Sequence, residues 1–307
     1  METKDRKRRF INNECNHIYQ RTVNGFLIFY DREDYLVSYM ILSVMARKYN
    51  VTLLKICFMI DHIHMLIDAP SREIMAAFMR DYSSVFIHEY NISIGRSGQM
   101  LHKSYGSAPK KGDKKTRSTI VYIGNNPVEK KLCIRAEDYR WNFLKYFVDD
   151  CPFSVRISLS ESSRPLRRCI KIVKSTSRSN VYLNYTRLRD MFGTLSESEQ
   201  EYLTDYIIMS YFPFDKDRLL SYYEDWNQMV EAMHSTAGSE HDIKEVFSYG
   251  SDQIYYEMVR YIKDEKMIYP VRSVTVLPFE QKMILFNELR IHTGAAPYEI
   301  KKFLHLK

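Results

Sequence analysis

Two apolar runs, residues 51–60 and 62–68, follow each other with a single residue, Asp61, between them. Their length and their content of Leu, Ile, Val and Phe are typical of buried strands. Because so short a connection joins antiparallel neighbours, the runs predict a β-hairpin that turns near Asp61. Successive side chains of a strand alternate between its faces, so His62 and His64 point to the same side of the sheet.

Helical patterns flank this hairpin on both sides. Asp31 is the predicted N-cap and Asn50 the predicted end of a first helix, whose apolar residues recur at helical spacing. Ser71 is the predicted cap of a second helix of the same kind. Extended segments are expected at 17–21 and 26–30, ahead of the first helix. The order strand, helix, strand, strand, helix is most of a ferredoxin-like α+β fold.

The composition excludes several classes of protein. No stretch approaches the length of an uncharged membrane span, and the charged start of the sequence predicts no secretory signal. Five cysteines without paired spacing argue against a zinc knuckle or a disulfide framework and favour a reducing cytoplasm. The formal net charge of +7 favours a polyanionic partner only mildly. We therefore expect a cytoplasmic protein with no membrane partner.

Basic residues concentrate in three segments of the chain. They are residues 4–9, residues 110–117 with Asp113 as the one acid, and residues 164–178 with no acid. Such a run is usually mobile and solvated. Beside a catalytic site, the middle segment would instead supply contacts to phosphate groups. Both interpretations stay open.

The character of the sequence changes after residue 151, where mainly helical patterns begin, including one from His241 onward. Near the end, a helix at 279–291, a turn and a helix at 297–304 are compatible with a DNA-binding helix-turn-helix. A plain helical hairpin packed on the protein explains them equally well. The predicted units are residues 1–150, a mainly helical accessory region at 151–274, and the helix-turn-helix at 275–307.

The histidine pair can bind a divalent metal, because neutral imidazole is a ligand for several metals. Two histidines are too few for a closed structural site, so a further ligand must come from elsewhere. A helix predicted at 116–133 carries Tyr122 and Asn126, four residues apart and thus on one face, with Asn125 able to face the same way. An amide oxygen beside two imidazoles suits Mg²⁺ or Mn²⁺ better than zinc.

Tyr122 is a candidate nucleophile in such a site. A tyrosine hydroxyl can attack phosphorus while a metal stabilises the charge that develops on the phosphate oxygens. The phosphotyrosine product keeps the energy of the phosphodiester, so the step can be reversed to join strands. For one residue among 24 tyrosines, a structural role is the simpler interpretation. Only the ordered combination of motifs favours chemistry.

Five sequence blocks give that combination. They are His-Ile-Tyr-Gln-Arg at 17–21, Ile-Phe-Tyr-Asp-Arg-Glu-Asp at 28–34, Met-Ile-Asp-His-Ile-His-Met-Leu-Ile at 59–67, Tyr-Ile-Gly-Asn-Asn-Pro-Val at 122–128, and Glu-Asp-Tyr-Arg-Trp at 137–141. With the blocks in this order, residues 15–147 resemble the single-tyrosine HUH transposases. Among these transposases, the chain resembles the REP-associated tyrosine transposase branch. The resemblance implies that His62 and His64 bind the metal, that Tyr122 is the nucleophile and that Asn126 completes the metal site.

The resemblance also implies an activity and its partners. The expected enzyme is bacterial and nucleoid-associated, uses Mg²⁺ or Mn²⁺, acts as a monomer, and cleaves and rejoins single-stranded DNA near hairpin repeats through a 5′-phosphotyrosine. Tyr105 is expected to stack on bases. The expected phosphate contacts are Arg21, Lys103, Lys110, Lys111, Lys114, Lys115 and Arg117. The face with the histidines and the face with Tyr122 are expected to meet across a groove.

Two departures from the family pattern stand out. Ser104 occupies a position where the family usually has arginine, and Gly124 a position where bulkier residues are common. A glycine there loosens a helix by roughly 1 kcal/mol. Two alternatives to an active transposase stay open: a domesticated relative that binds hairpin DNA without cutting it, and an unrelated metal-dependent hydrolase.

Overall fold

The computed structural model describes residues 10–235 and 251–306 of the chain. The strands within these ranges form an antiparallel sheet in the order β2-β3-β1-β4. They are β1 (Cys15–Arg21), β2 (Thr52–Met59), β3 (His62–Asp68) and β4 (Gly106–Lys110). With α1 (Arg32–Tyr49) after β1 and α2 (Arg72–Ser93) after β3, this is the ferredoxin-like order. The predicted α+β architecture is confirmed.

Helices cover both faces of the sheet. On one face, Ser83 of α2 donates a hydrogen bond of 3.0 Å to the side chain of Gln20 in β1. Gln20 pairs with Ile63 of β3. On the opposite face, the ring of His64 lies 5.6 Å from that of Tyr122 in α3 (Asp113–Glu129). The histidines of β3 therefore face α3, away from α2.

Capping interactions fix the ends of α1 and α2. The Asp34 carboxylate accepts a hydrogen bond of 2.8 Å from the backbone N–H of Asp31. Asn50 closes α1 in the left-handed conformation, with φ of 49°. The Ser71 hydroxyl accepts a hydrogen bond of 3.2 Å from the backbone N–H of Ile74. The helix boundaries predicted at Asp31, Asn50 and Ser71 are thus confirmed.

The described chain after residue 151 is mainly helical, as predicted. Its helices are α4 (Arg164–Arg178), α5 (Tyr185–Phe192), α6 (Glu197–Ser210), α7 (Lys216–Leu220), α8 (Trp226–Ser235), α9 (Gln253–Asp264), α10 (Phe279–Thr293) and α11 (Pro297–Leu304). None of the helices in the described ranges is both long and apolar enough to cross a membrane.

These helices share apolar packing with the sheet. The Tyr39 hydroxyl of α1 donates a hydrogen bond of 3.0 Å to the Ile208 carbonyl of α6. A second apolar cluster joins α9, α10 and α11 to Leu27, Tyr30 and Ile60. The apolar face of the predicted helix-turn-helix is therefore buried. Its role in DNA binding and the division into three units stay predictions.

Some predicted boundaries were wrong. Residues 26–30, expected to be extended, form no regular strand. Helix α3 begins at Asp113, so most of the basic segment 110–117 is helical. The basic residues 4–9 and the start of the helix predicted from His241 lie outside the described residues.

Candidate active site

His64 is held by two residues of β1. Tyr19 pairs with His64 across the strands, and their rings stack with centroids 4.8 Å apart. The Nε2 of His17 lies 3.0 Å from the Nδ1 of His64, so one imidazole donates a hydrogen bond to the other. This bond fixes the orientation of the His64 ring and commits its Nδ1.

Helix α3 brings Tyr122 and Asn126 to the same place. The Tyr122 ring centroid lies 5.6 Å from that of His64 and 5.7 Å from that of His17. The Asn126 amide nitrogen donates a 3.0 Å hydrogen bond to the Tyr122 carbonyl, and the Asn126 side chain also hydrogen-bonds the His64 imidazole. The His62 ring centroid lies 5.0 Å from that of His64. The four residues predicted from the sequence thus lie together.

His62 is oriented by a carboxylate that the C-terminal helix also contacts. Its Nδ1 lies 2.6 Å from Oδ1 of Asp61, and Nζ of Lys302 in α11 lies 2.7 Å from the other oxygen. Burial alone would raise the pKa of the Asp61 carboxyl, but His62 and Lys302 together hold it well below its ordinary value. A carboxylate on one imidazole nitrogen leaves the second nitrogen available to a metal.

The environment keeps two of the imidazoles neutral. Burial lowers the pKa of His64 well below its ordinary value, and the charges of His62 and Arg21 act in the same direction. Burial likewise lowers the pKa of His17, with a contribution from Lys110. A neutral imidazole can bind a metal or accept a proton, so His64 is in the form that either role requires.

The donor set fits a hard divalent ion. In the described ranges no group of three or more His, Cys, Asp and Glu side chains is arranged to hold a metal. Asn126 lies outside those residue types, and its side chain already contacts His64. With His62 and His64 it gives two nitrogens and one amide oxygen, a set that suits Mg²⁺ or Mn²⁺ with further positions for water and phosphate oxygens.

The site is buried, and the expected groove is not open. His64 is 0% and Tyr122 1% exposed. Because α3 packs directly on β2, β3 and β4, the rings of Tyr19, His17 and Tyr122 fill the space between helix and sheet.

Gly124 explains one departure from the family pattern. A Cβ at this position would lie 2.8 Å from Sδ of Met233 in α8, which is closer than side chains normally approach. The Asn125 amide donates a hydrogen bond of 2.8 Å to the Met233 carbonyl. The Gly-Asn pair therefore docks α8 on the helix that carries Tyr122. Asn125 engages α8, unlike the expectation that it could join the metal-facing side.

The residues predicted to contact DNA lie in separate places. Arg21 is close enough to His64 to lower its pKa, and its guanidinium lies 5.4 Å from the Tyr19 ring centroid. Lys103 and Tyr105 line a cavity of about 490 Å³ beside α2. Exposed side chains at the start of α3 and just before it belong to Lys111, Lys114, Lys115 and Arg117.

Two of the predicted DNA contacts are buried. Lys110, the last residue of β4, is 1% exposed, and Tyr105 is 7% exposed. The Lys110 side chain lies on the inner side of the strand, where its charge acts on His17. Both side chains are therefore largely shielded from solvent in this conformation, and their contacts with DNA stay predictions.

Three residues at the site were not predicted. His17 lies within the first sequence block, and its place on a strand paired with β3 was the available signal. Asp61 was identified only as the hairpin turn. Lys302 had no local signal, because its contact with Asp61 depends on how α11 packs.

Known proteins resemble the part of the chain that carries this site. Residues 17–126 match the family model described as transposase IS200 like. The match includes His62, His64, Tyr122 and Asn126 and confirms the family resemblance for this stretch. It indicates a transposase-like, DNA-processing domain. Helices α4 to α11 lie outside it.

A solved structure and the curated proteins complete the comparison. The chain is similar to a solved structure described as "Structure of the REP associates tyrosine transposase bound to a REP hairpin", with a TM-score of 0.38 and 15% sequence identity. The similarity covers 44% of this chain and 79% of that one. No curated protein matches the chain.

Proposed function

We propose that this protein is a monomeric, metal-dependent transposase that cleaves and rejoins single-stranded DNA near hairpins, with Tyr122 as the nucleophile. The observation that carries the proposal is the convergence of β3 and α3, which brings the rings of His64 and Tyr122 within 5.6 Å. The IS200-like match over residues 17–126 supports the class of chemistry.

In the proposed reaction, Oη of Tyr122 forms a bond to the phosphorus of a phosphodiester while the bond from phosphorus to the 3′ oxygen breaks. The phenolic proton leaves Tyr122, for which the neutral imidazole of His17 is a suitable acceptor, and a proton is returned to the departing 3′ oxygen. The products are a 5′-phosphotyrosine and a free 3′ hydroxyl. The same hydroxyl can attack the phosphotyrosine, so the protein can also rejoin strands.

The residues around the histidines position the reacting groups. His62, His64 and Asn126 would hold Mg²⁺ or Mn²⁺, which when bound stabilises negative charge on the phosphate oxygens. Asp61 and His17 contact the Nδ1 atoms of His62 and His64 and so orient the two rings that would hold the metal. Arg21 lies on the same face of β1 as His17 and would contact a phosphate next to the one that reacts.

Burial of Tyr122 sets a further requirement. A phosphodiester cannot contact a side chain that is 1% exposed, so the reaction needs a rearrangement that brings Oη to the surface. DNA that binds the exposed form better would favour it. A protein that binds hairpin DNA without cutting it is the second candidate, and this burial is the observation that favours it.

A covalent adduct distinguishes the two candidates. The wild type is incubated with Mn²⁺ and a labelled oligonucleotide that carries a hairpin and an unpaired flank, then run on a denaturing gel. The matched control is Tyr82→Phe, which removes an equally buried hydroxyl that lies 2.7 Å from Ser38 in the other helical layer.

We expect adduct from the wild type and from Tyr82→Phe, and none from Tyr122→Phe. An adduct that survives Tyr122→Phe would refute Tyr122 as the nucleophile. Tight binding of the hairpin by the wild type with no adduct would support the non-cleaving candidate.

A further inference from the structure

Helix α4 divides cleanly into a basic side and an apolar side. Its 15 residues include six cations and no acid: Arg164, Arg167, Arg168, Lys171, Lys174 and Arg178. The buried side consists of Leu166, Cys169, Ile170 and Val173. The apolar side packs on α6. The basic residues are not needed for this packing.

The basic side faces solvent. Arg164, Arg168, Lys171, Lys174 and Arg178 are exposed, and within residues 10–235 and 251–306 no carboxylate forms an ion pair with any of them. Cations four residues apart repel each other and destabilise a helix. This repulsion opposes folding of α4, apolar packing against α6 outweighs it, and a bound polyanion would neutralise it.

Helix α5 extends this surface. A cavity of about 410 Å³ between α4 and α5 is lined by Arg164, Arg168 and Arg187, together with Asp190 and Thr194. Three guanidinium groups against one carboxylate leave this concave region positive. The charge therefore covers a groove as well as the helix face.

The chemistry of the surface selects its partner. Helix α4 is about 22 Å long, and duplex DNA carries one negative charge per about 1.7 Å of axis, so a straight row of cations faces many phosphates. The sequence of α4 contains no aromatic residue on which an unpaired base could stack.

We propose that the basic face of α4, with Arg187 of α5, binds the sugar-phosphate backbone of duplex DNA. The duplex is the stem of the hairpin, and in that respect the proposal rests on the proposed function. Helix α6, on which α4 packs, contacts α1 on the side of the sheet away from α3. The stem and the strand at Tyr122 therefore use different surfaces.

Binding measured against salt tests the proposal, because each lost phosphate contact reduces the salt dependence. The α4 variant carries Arg168→Gln, Lys171→Gln and Lys174→Gln. The charge-matched control, with exposed cations on α7 and α9, carries Lys216→Gln, Arg260→Gln and Lys263→Gln. Fluorescence anisotropy gives the affinity of each protein for a labelled hairpin and for an unpaired strand between 50 and 200 mM salt.

We expect the α4 variant to bind the hairpin about 10-fold or more weakly at low salt. The slope of log K against log salt is expected to be shallower than that of the wild type by about 2 to 3. The control and all affinities for the unpaired strand are expected to stay unchanged. Equal losses in variant and control, or losses on hairpin and unpaired strand alike, would overturn the proposal. Thermal melting of the α4 variant is expected to match the wild type or exceed it, since repelling charges are removed.

Two further arms separate this surface from other interpretations. Adduct formation with a saturating, unpaired oligonucleotide is expected to be the same for wild type and α4 variant. If the wild type forms no adduct, the Tyr122 chemistry fails, while the salt slopes still decide the α4 surface. If wild type binds phosphatidylglycerol vesicles, and the α4 variant loses that binding but keeps its affinity for hairpin DNA, the proposal is wrong.

Discussion

Gly124→Ala tests the docking of α8 on the helix that carries Tyr122. In an isolated helix, alanine is more favourable than glycine by about 0.8–1.0 kcal/mol. Here the added Cβ would lie 2.8 Å from Sδ and 3.0 Å from Cε of Met233. Overpacking of a core costs about 1–3 kcal/mol, and Met233 can shift only part of the way. The expected net change in the free energy of unfolding is a loss of up to about 2 kcal/mol.

Met233→Ala separates the contact from the helix propensity. Alone it removes a side chain that is 3% exposed, which is expected to cost about 2–5 kcal/mol. Combined with Gly124→Ala, the new Cβ occupies part of the freed space. The double variant is therefore expected to be more stable than the sum of the single changes predicts, by about 1–2 kcal/mol.

Urea unfolding of the wild type, the two single variants and the double variant measures this coupling. The control cycle pairs Met233→Ala with Ser118→Ala, at an exposed position of the same helix, and is expected to be additive within about 0.5 kcal/mol. An additive result for Gly124→Ala with Met233→Ala would refute the reasoning. So would a gain of the full helix propensity by Gly124→Ala alone.

Three further predictions concern buried charge. Burial lowers the pKa of Lys55 from 10.5 to about 7. Between these pH values only the unfolded chain binds the extra proton, so the free energy of unfolding rises with pH. Lys55→Met is expected to flatten this rise in urea-unfolding experiments from about pH 7 to about 9.5. Arg272 lies 2.9 Å from Asp34, and Arg272→Met is expected to cost about 3–5 kcal/mol because a carboxylate is left buried; a urea-unfolding loss below about 1 kcal/mol would contradict this. Lys302→Met is expected to raise the pKa of Asp61 in a carbon-13 NMR titration of its carboxyl, whereas Lys301→Met, at an exposed neighbour, leaves it unchanged.

Local patterns predicted the parts of the fold that local chemistry determines. The hairpin at 51–68 and the boundaries at Asp31, Asn50 and Ser71 depend on alternation, a short connection and side-chain caps, all of which lie within a few residues. Strand β4 was missed because Gly106–Lys110 contains no β-branched or aromatic residue. Its pairing with β1 supplies the stability that its own sequence lacks.

The candidate site could be predicted only in part. The spacing of His62 and His64 on a strand and of Tyr122 and Asn126 on a helix follows from sequence, and the family resemblance placed the two elements together. The Lys302–Asp61 contact joins residues far apart in the chain, so only tertiary packing creates it. Lys110 shows the opposite limit, since a lysine in a basic segment was expected at the surface and is buried beside His17.

The central claim is that Tyr122 becomes covalently attached to DNA. Trypsin cleavage after Arg117 and Lys130 releases a peptide of residues 118–130, in which Tyr122 is the only tyrosine. The protein is allowed to react with a hairpin oligonucleotide and Mn²⁺, the DNA is trimmed with nuclease, and the peptides are sequenced by tandem mass spectrometry. We expect this peptide to carry a 5′-linked nucleotide on Tyr122. A nucleotide attached to any other residue, or an unmodified peptide under conditions where the hairpin is bound, would contradict the account.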